Sequence, residues 1–320
     1  MADRSNPTRL SAYGGSGWLP RQRPLSEEMG QCWSRCGIDS EYRTLKSVLL
    51  HRPGEELMAS QDASSVQMLE PLNIVKATQQ HDALSQAYAD AGVQVHYLHE
   101  FVSDTSLNPN QMFMADLLFM TPSGAILARP ASEVRAGEEM QTAKALALLG
   151  IPILGSVHGY GTFEGADAMW LDKQTVILGR GLRTNDEGIR QLSMLLDSIG
   201  VETIVVDMPV GSMHLMGMLR ILDENLAIAW PTRLAIRAYE ALQDRGYTVA
   251  FLPDIPEAIS GYALNGVTLA PRKLLMAANN PNTQSFYEDI GVTCVTVDVS
   301  ELGKAAGAAG CLTGVLERET

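Results

Sequence analysis

One local event recurs five times along this 320-residue chain and constrains its fold more than any other feature. A helical segment ends at glycine, and an apolar run rich in β-branched residues follows at once. The instances are AYADAGVQVHYL, ALALLGIPILG, LLDSIGVETIVVD, ALQDRGYTVAFLPD and FYEDIGVTCVTVDV. Their glycines, Gly92, Gly150, Gly200, Gly246 and Gly291, are 58, 50, 46 and 45 residues apart. Glycine just past the last helical turn supplies the left-handed backbone that stops a helix, and the run behind it starts a strand. Between these events lie DLLFMTPSGAILARP, DAMWLDKQTVILGR, GMLRILDENLAIAWP and NGVTLAPRKLLMAA, each with two apolar runs around a turn, as a hairpin requires. A fifth hairpin can be assembled from CLTGVLER near the C-terminus and KSVLLHRPG near the N-terminus. The pattern predicts an α/β fold: a five-bladed, pseudo-symmetric propeller of ββαβ-type repeats around a central axis, its last repeat closed by both ends of the chain. Closing the ring removes open sheet edges. A doubly wound sheet would need parallel crossovers where these hairpins stand.

Residues 1–44 fall outside the repeat. SAYGGSGWLPRQRP, rich in Gly, Ser, Pro and Arg, reads as a mobile arm, a lid or an oligomer contact. Residues 45–320 read as a single catalytic domain. The composition, 46% hydrophobic and 19% charged, is that of a globular chain with a sizeable core. A net charge of −13 disfavours a general affinity for nucleic acid or anionic lipid. No apolar stretch reaches the ~18 residues of a membrane helix, and the N-terminus has no apolar core of a secretory signal. The four cysteines are too few for a disulfide framework, which points to a reducing, cytoplasmic setting. Cys32 and Cys36 stand as CxxxC, but no further zinc ligands accompany them.

Polar residues keep step with the repeat. Asp116, Asp167, His214, Asn265 and Cys311 each stand at or just before a hairpin, 51, 47, 51 and 46 residues apart. In a ring, equivalent positions face one axis, so these side chains are expected to converge. Convergence of Cys, His and carboxylates is the pattern of an activated nucleophile. Taken singly, each has a plainer reading: a small buried Cys, a core His, turn-forming Asp residues. Gly307 and Gly310 before Cys311 suggest close approach of backbone and ligand. Neither GRGLRTNDEG nor YGGSGW opens a helix after a strand with the spacing a nucleotide-binding loop needs.

GTFEGADAMWLD with GLRTNDEG, then SMHLMG, then VSELGKAAGAAGCLTGVL, stand in the order found in the guanidino-group-modifying enzymes of the pentein fold. The chain resembles that superfamily from about Lys46 to the C-terminus. Its members include arginine deiminases, amidinotransferases and dimethylarginine dimethylaminohydrolases, and the last look closest through FEGAD, the RTN triplet and the SELxK segment. The resemblance implies Cys311 as nucleophile, His214 as general acid and base, and Glu164 as the acid that bonds both the histidine and the guanidinium. It implies Asp116 as a second grip on the guanidinium, and Arg183 and Arg135 as partners of the substrate's carboxylate. Asp167 and Asn265 look like structural or substrate-contacting neighbours. The chemistry fits. A resonance-stabilised guanidinium resists water, a thiolate attacks it better, and flanking carboxylates offset the cost of burying the cation. No metal or organic cofactor is implied, and the expected partner is a small guanidino substrate, with a homo-oligomer left open.

Two departures from the plain-arginine deiminases stand out. Their His-x-Asp is here His214-Leu215-Met216, and Gly310 replaces the histidine before the nucleophile. Met216 cannot balance charge but packs against alkyl groups, which favours a substituted terminal nitrogen. The expectation is a hydrolase cleaving a guanidino C–N bond through a thiouronium. An amidinotransferase using an amine acceptor is the alternative, and a non-catalytic pentein binding protein is a third reading.

Overall fold

A computed structural model describes residues 7–58, 62–102 and 107–319. Five three-stranded sheets succeed one another along the chain. The first joins β1 (Leu45–Leu50), β2 (Gln94–Tyr97) and β15 (Gly314–Arg318), with α1 (Ile74–Asp90) between β1 and β2. The second holds β3 (Leu118–Thr121), β4 (Gly124–Leu127) and β5 (Ile153–Ser156), with α2 (Glu138–Leu148). The third holds β6 (Ala168–Asp172), β7 (Thr175–Arg180) and β8 (Glu202–Asp207), with α3 (Asp186–Asp197). The fourth holds β9 (Leu219–Asp223), β10 (Leu226–Ala229) and β11 (Thr248–Phe251), with α4 (Ile236–Asp244). After α5 (Ile255–Ser260), the last holds β12 (Val267–Ala270), β13 (Lys273–Ala277) and β14 (Thr293–Val297), with α6 (Pro281–Asp289).

Every sheet repeats one plan: an antiparallel pair, then a helix, then a strand parallel to the middle one. The expected pairing of the chain's two ends is present. β15 runs antiparallel to β1, with Val48 opposite Val315 and Leu49 opposite Gly314. All five repeat glycines have positive φ, between 72° and 83°. A side chain there would strain the backbone, which is why the same residue stops all five helices.

Units are stitched by buried polar contacts as well as apolar packing. The indole N–H of Trp170 donates to Met120 O, the Tyr247 hydroxyl to Leu171 O, and Thr268 to Ile221 O. The Arg318 guanidinium donates to Thr268 O, and Ala115 N–H to Cys311 O, which brings the first unit against the last and the second. α3 shows how the helices attach. Asn185 caps it by accepting from Gly188 N–H at 2.8 Å, and Ile189, Leu192 and Leu196 line its buried face.

The first six residues of the 1–44 arm lie outside the described residues. Its later part is pinned: Gly37 N–H donates to Leu316 O, Arg318 N–H to Gly37 O, and Ser34 N–H to Gly150 O. Cys36 and Ile38 enter the core beside the second and third units. Among the described residues, no helix is long and apolar enough to cross a membrane.

His81, on the buried face of α1, has no hydrogen-bond partner at either ring nitrogen. Burial, together with the nearby His51, holds it neutral by lowering its pKa to about 3. Because the folded-state pKa is depressed, the associated stability is present above the ordinary value of 6.5 and is lost as pH falls toward 3. In urea titrations, the native protein should lose up to about 1.4 kcal/mol per pH unit across that window from this group. His81→Leu should flatten that slope, and an unchanged slope would rule out His81 as its source.

Candidate active site

Cys311, His214, Asp116 and Asn265 converge, as their common phase implied. Short 3₁₀ turns put three acidic or imidazole groups at matching points. Met114–Asp116 precedes β3, Gly165–Asp167 precedes β6, and His214 caps Leu215–Gly217 before β9. Glu164 caps the second of these turns and is fully buried. Its Oε2 lies 2.6 Å from His214 Nε2, and both its oxygens receive Arg183 Nη1, at 3.2 and 3.3 Å. Ala131 N–H donates to Glu164 as well. Burial works against charge on Glu164, but the His214 hydrogen bond and the charges of His214, Arg135 and Arg183 outweigh it and hold the carboxyl low. Burial likewise disfavours the imidazolium, yet Asp116, Glu164 and Asp167 reverse this and raise His214 to about 9. At neutral pH the pair is therefore imidazolium and carboxylate.

Cys311 is gripped at two points by Asn265. The amide of Asn265 donates to Sγ at 2.9 Å, and its carbonyl accepts Cys311 N–H at 3.1 Å. Burial and the Asp116 charge push the thiol up to about 11, against the opposing hydrogen bonds from Asn265 and Ala308 and the charge of Arg220. The glycines before Cys311 serve protein contacts. A Cβ on Gly310 would meet Asn265 Oδ1 at 2.7 Å and Gly266 O at 2.9 Å, and one on Gly307 would meet Phe113 at 2.4 Å. Gly310→Ala is therefore expected to displace Asn265 and the Gly266 backbone, lowering the melting temperature and cutting kcat about 10²-fold, since a small misplacement at a reacting atom has that scale. Unchanged kcat would show the clamp to be dispensable.

Asp116 Oδ2 accepts Arg135 Nη1 at 2.7 Å, while Asp116 Oδ1 is buried with no hydrogen-bond partner. His214 Nε2 is 3.8 Å from that free oxygen. Two spaces open from Cys311 and His214. A narrow one, about 20 Å³, is lined by Asp116, Arg135 and Arg183; a wide one, about 350 Å³, is walled by Met216, Met218, Trp230 and Leu264. Met216 thus sits where alkyl groups would pack. No residue of 7–44 lines either space, so the lid reading of the arm finds no contact here.

Arg135 is buried, donates Nε and Nη2 to a single Glu138 oxygen, Oε2, at 3.0 and 2.8 Å, and is bonded to Asp116 and Glu164. Its guanidinium meets three carboxylates and balances their charge, while the residue also lines the narrow space. Arg183 is likewise bound to Glu164. Asp167 holds a structural place: its oxygens accept Thr184 Oγ1 and Leu215 N–H, fixing the loop that carries His214. The RTN triplet is thereby explained, with Arg183 on Glu164, Thr184 on Asp167 and Asn185 capping α3. Trp230 and Arg233, which wall the wide space, were not singled out from sequence. Arg233 does carry a signal, since Arg135, Arg183 and Arg233 follow three successive hairpins 48 and 50 residues apart.

One oxygen or nitrogen each from Asp116, Glu164 and His214 lie within 4.8 Å of one another, a set able to hold a cation. Glu164 Oε2 and His214 Nε2 are bonded to each other, and Glu164 also to Arg183, so the set suits a planar organic cation at the free Asp116 oxygen better than a metal, which would have to displace these bonds.

Known proteins resemble this chain over most of its length. The family model for eukaryotic N,N dimethylarginine dimethylhydrolase matches residues 57–315. A dimethylarginine dimethylaminohydrolase of Streptomyces coelicolor is 30% identical over 206 residues, 64% of this chain and 74% of the relative. One from Pseudomonas aeruginosa is 26% identical over 268 residues, 84% of this chain and 98% of its own. A solved structure of the Pseudomonas aeruginosa enzyme, complexed with citrulline, shares the five-unit pentein fold at a TM-score of 0.69, with 24% identity over 86% of this chain and all of that one (100%). These matches do not favour the amidinotransferase alternative. The chain belongs to the dimethylarginine dimethylaminohydrolase family, and is a hydrolase acting on a C–N bond of a guanidino group.

Proposed function

We propose that this hydrolase acts on arginine, an Nω-substituted arginine or a closely related guanidine, with Cys311 as a covalent nucleophile. The observation that carries the reading is the buried, unpartnered oxygen of Asp116 beside Cys311 and the His214–Glu164 pair. An unpaired buried acceptor is costly unless its partner arrives with the ligand. A guanidinium N–H is that partner.

Binding also answers the raised thiol pKa. A cation placed against Sγ favours the thiolate, so the substrate helps to generate its own nucleophile. The thiolate attacks the guanidine carbon and forms a C–S bond. The C–N bond to the leaving amine then breaks, and the imidazolium of His214 donates its proton to that nitrogen. A thiouronium remains on Cys311. Water, deprotonated by the now neutral His214, adds to the same carbon; the C–S bond breaks and the ureido product departs. Glu164 keeps His214 oriented and charged for the first step. Asp167 positions the His214 loop, and Asn265 positions Cys311. The names of the relatives support a methylated arginine as substrate, and the apolar surroundings of Met216 support a substituted terminal nitrogen. In this reading residues 45–320 act as one catalytic domain. All four cysteines are free thiols, which suits a reducing, cytoplasmic setting for a thiol enzyme.

The test is a panel of arginine, monomethyl- and dimethylarginine assayed for ureido product together with ammonia or alkylamine. Acid quenching during turnover should leave a thiouronium-sized mass on the peptide containing Cys311, and Cys311→Ser should abolish both. Turnover surviving in Cys311→Ser would remove the nucleophile from the scheme.

A further inference from the structure

We propose that the wide chamber takes a bulky apolar group carried on the leaving nitrogen, so that the enzyme releases an alkyl- or aralkylamine larger than methylamine. The inference rests on the hydrolase reading above and narrows its substrate class. Two spaces meet at Cys311 and His214, and they differ in size and in chemistry. The narrow one, about 20 Å³, has polar or ionic walls in Gln67, Asn110, Asp116, Arg135 and Arg183. It suits the planar head and a slender polar chain, not an alkyl branch. The wide one, about 350 Å³, is over twice the apolar cavity of about 150 Å³ that encloses a benzene ring. Two methyl groups would leave most of it unfilled.

The lining selects an apolar occupant. Met213, Met216, Met218, Trp230 and Leu264 form its walls, and methionine adapts to irregular alkyl or aromatic shapes. Among the described residues that line the chamber there is no carboxylate, so an α-ammonium group placed there would be buried without an ionic partner. Arg233 prolongs the aromatic wall: its guanidinium lies over the Trp230 ring, 4.4 Å from the centroid, and donates to Gly211 O. The mouth is apolar as well. Leu69, Ile259 and Met213 line the chamber yet are 69%, 57% and 39% exposed. Large apolar side chains left to solvent around one opening mark a binding groove, whereas single ones scattered over a surface mark nothing. Gly217 widens the space further. Its φ is outside the left-handed range and a Cβ there would meet nothing within 4 Å, so the backbone does not demand the glycine.

This placement also decides which C–N bond breaks. Nitrogens that donate to the free Asp116 oxygen, on the narrow side, stay in the product. The nitrogen directed at the chamber is reached by His214, which lines both spaces and gives it a proton as its bond to the guanidine carbon breaks. The thiouronium left on Cys311 then takes one water. Each turnover thus converts one substituted guanidinium and one water into one ureido compound and one alkylammonium ion.

The experiment measures kcat/KM for Nω-methyl-, Nω-butyl- and Nω-(2-phenylethyl)-L-arginine in native protein, Gly217→Leu and Ile259→Ser, with amine and ureido product read separately. Native protein should prefer the phenylethyl over the methyl compound about tenfold or more, releasing 2-phenylethylamine and citrulline. Gly217→Leu fills the chamber and should cut that preference about tenfold. Ile259→Ser, at an exposed position where folding is little affected, should cut it about threefold. A native preference for the methyl compound, a preference unchanged in both variants, or ammonia released with the phenylethyl group kept in the ureido product would overturn the assignment and leave the hydrolase reading intact. Calorimetric binding to Cys311→Ser protein separates the two claims. If the phenylethyl compound binds more tightly than the methyl one, Gly217→Leu removes the difference and native protein hydrolyses neither, the hydrolase reading falls and the apolar occupant of the chamber stands. If the two compounds bind alike, the chamber assignment falls.

Discussion

Asp116→Asn should lose about 10²- to 10³-fold in kcat/KM while its Cys311 becomes more reactive toward iodoacetamide. The two effects have opposite sign because Asp116 does two things. Its unpartnered oxygen is the grip for the guanidinium, and removing a preorganised group facing developing or fixed charge has the stated scale. Its negative charge also raises the Cys311 thiol above the ordinary range, so neutralising it lets the thiolate form more readily in free protein. Because unfolding would also expose the buried thiol, the comparison requires an unchanged urea midpoint in the variant. The measurement is steady-state kinetics beside the pH dependence of alkylation, whose midpoint should fall below the native value of about 11. A variant with full turnover, or with alkylation shifted to higher pH, would contradict this account of the site.

Arg135→Leu should destabilise the protein by about 3–5 kcal/mol, the scale for breaking a buried ion pair from one side. The buried carboxylates of Glu138, Asp116 and Glu164 would lose their shared cation at once. Burial raises Glu138 to about 7 even with Arg135 beside it. Without Arg135 its folded-state pKa rises further, so protonation relieves the variant at low pH and the relief is lost as pH rises through that value. Urea midpoints at pH 6 and pH 8.5 should therefore show the larger deficit at the higher pH. A second substitution, Glu138→Leu, removes the worst stranded charge and should recover part of the loss. A deficit below about 1 kcal/mol, or one larger at pH 6, would mean that Arg135 is not the hub of these charges.

The architecture was legible because its signals are local. A glycine that must turn left-handed, and two apolar runs around a polar turn, report their own conformation whatever surrounds them. The site was legible one step less directly: a ring converts a shared phase into a shared centre, which brought Asp116, His214, Asn265 and Cys311 together before any contact was visible. What sequence could not supply is the allocation of partners. Arg135 and Arg183 carry the same charge in similar settings, and only three-dimensional distance shows that Arg135 meets Glu138, Asp116 and Glu164 while Arg183 meets Glu164 through one nitrogen. Asp167 has the same phase as Asp116 but its oxygens meet Thr184 and Leu215, a difference of side-chain direction that spacing does not encode. Glu164 lies out of phase with the five and emerged only through the FEGAD resemblance. The arm stayed unread because its contacts, such as Gly37 on β15, come from irregular backbone with no periodic pattern.

The pairing of β1 with β15 has a consequence for the order of assembly. The nucleophile sits three residues before β15, and the strand that receives β15 is the earliest of the whole set. During synthesis the other four sheets can form as their residues emerge, but the segment that carries the sulfur is tied to β1 only when β15 arrives. A chain stalled or clipped ahead of Gly314 would therefore keep most of its architecture and hold its thiol by the Asn265 clamp alone, with turnover of guanidines expected to fall. Activity in this molecule doubles as a proof of completion.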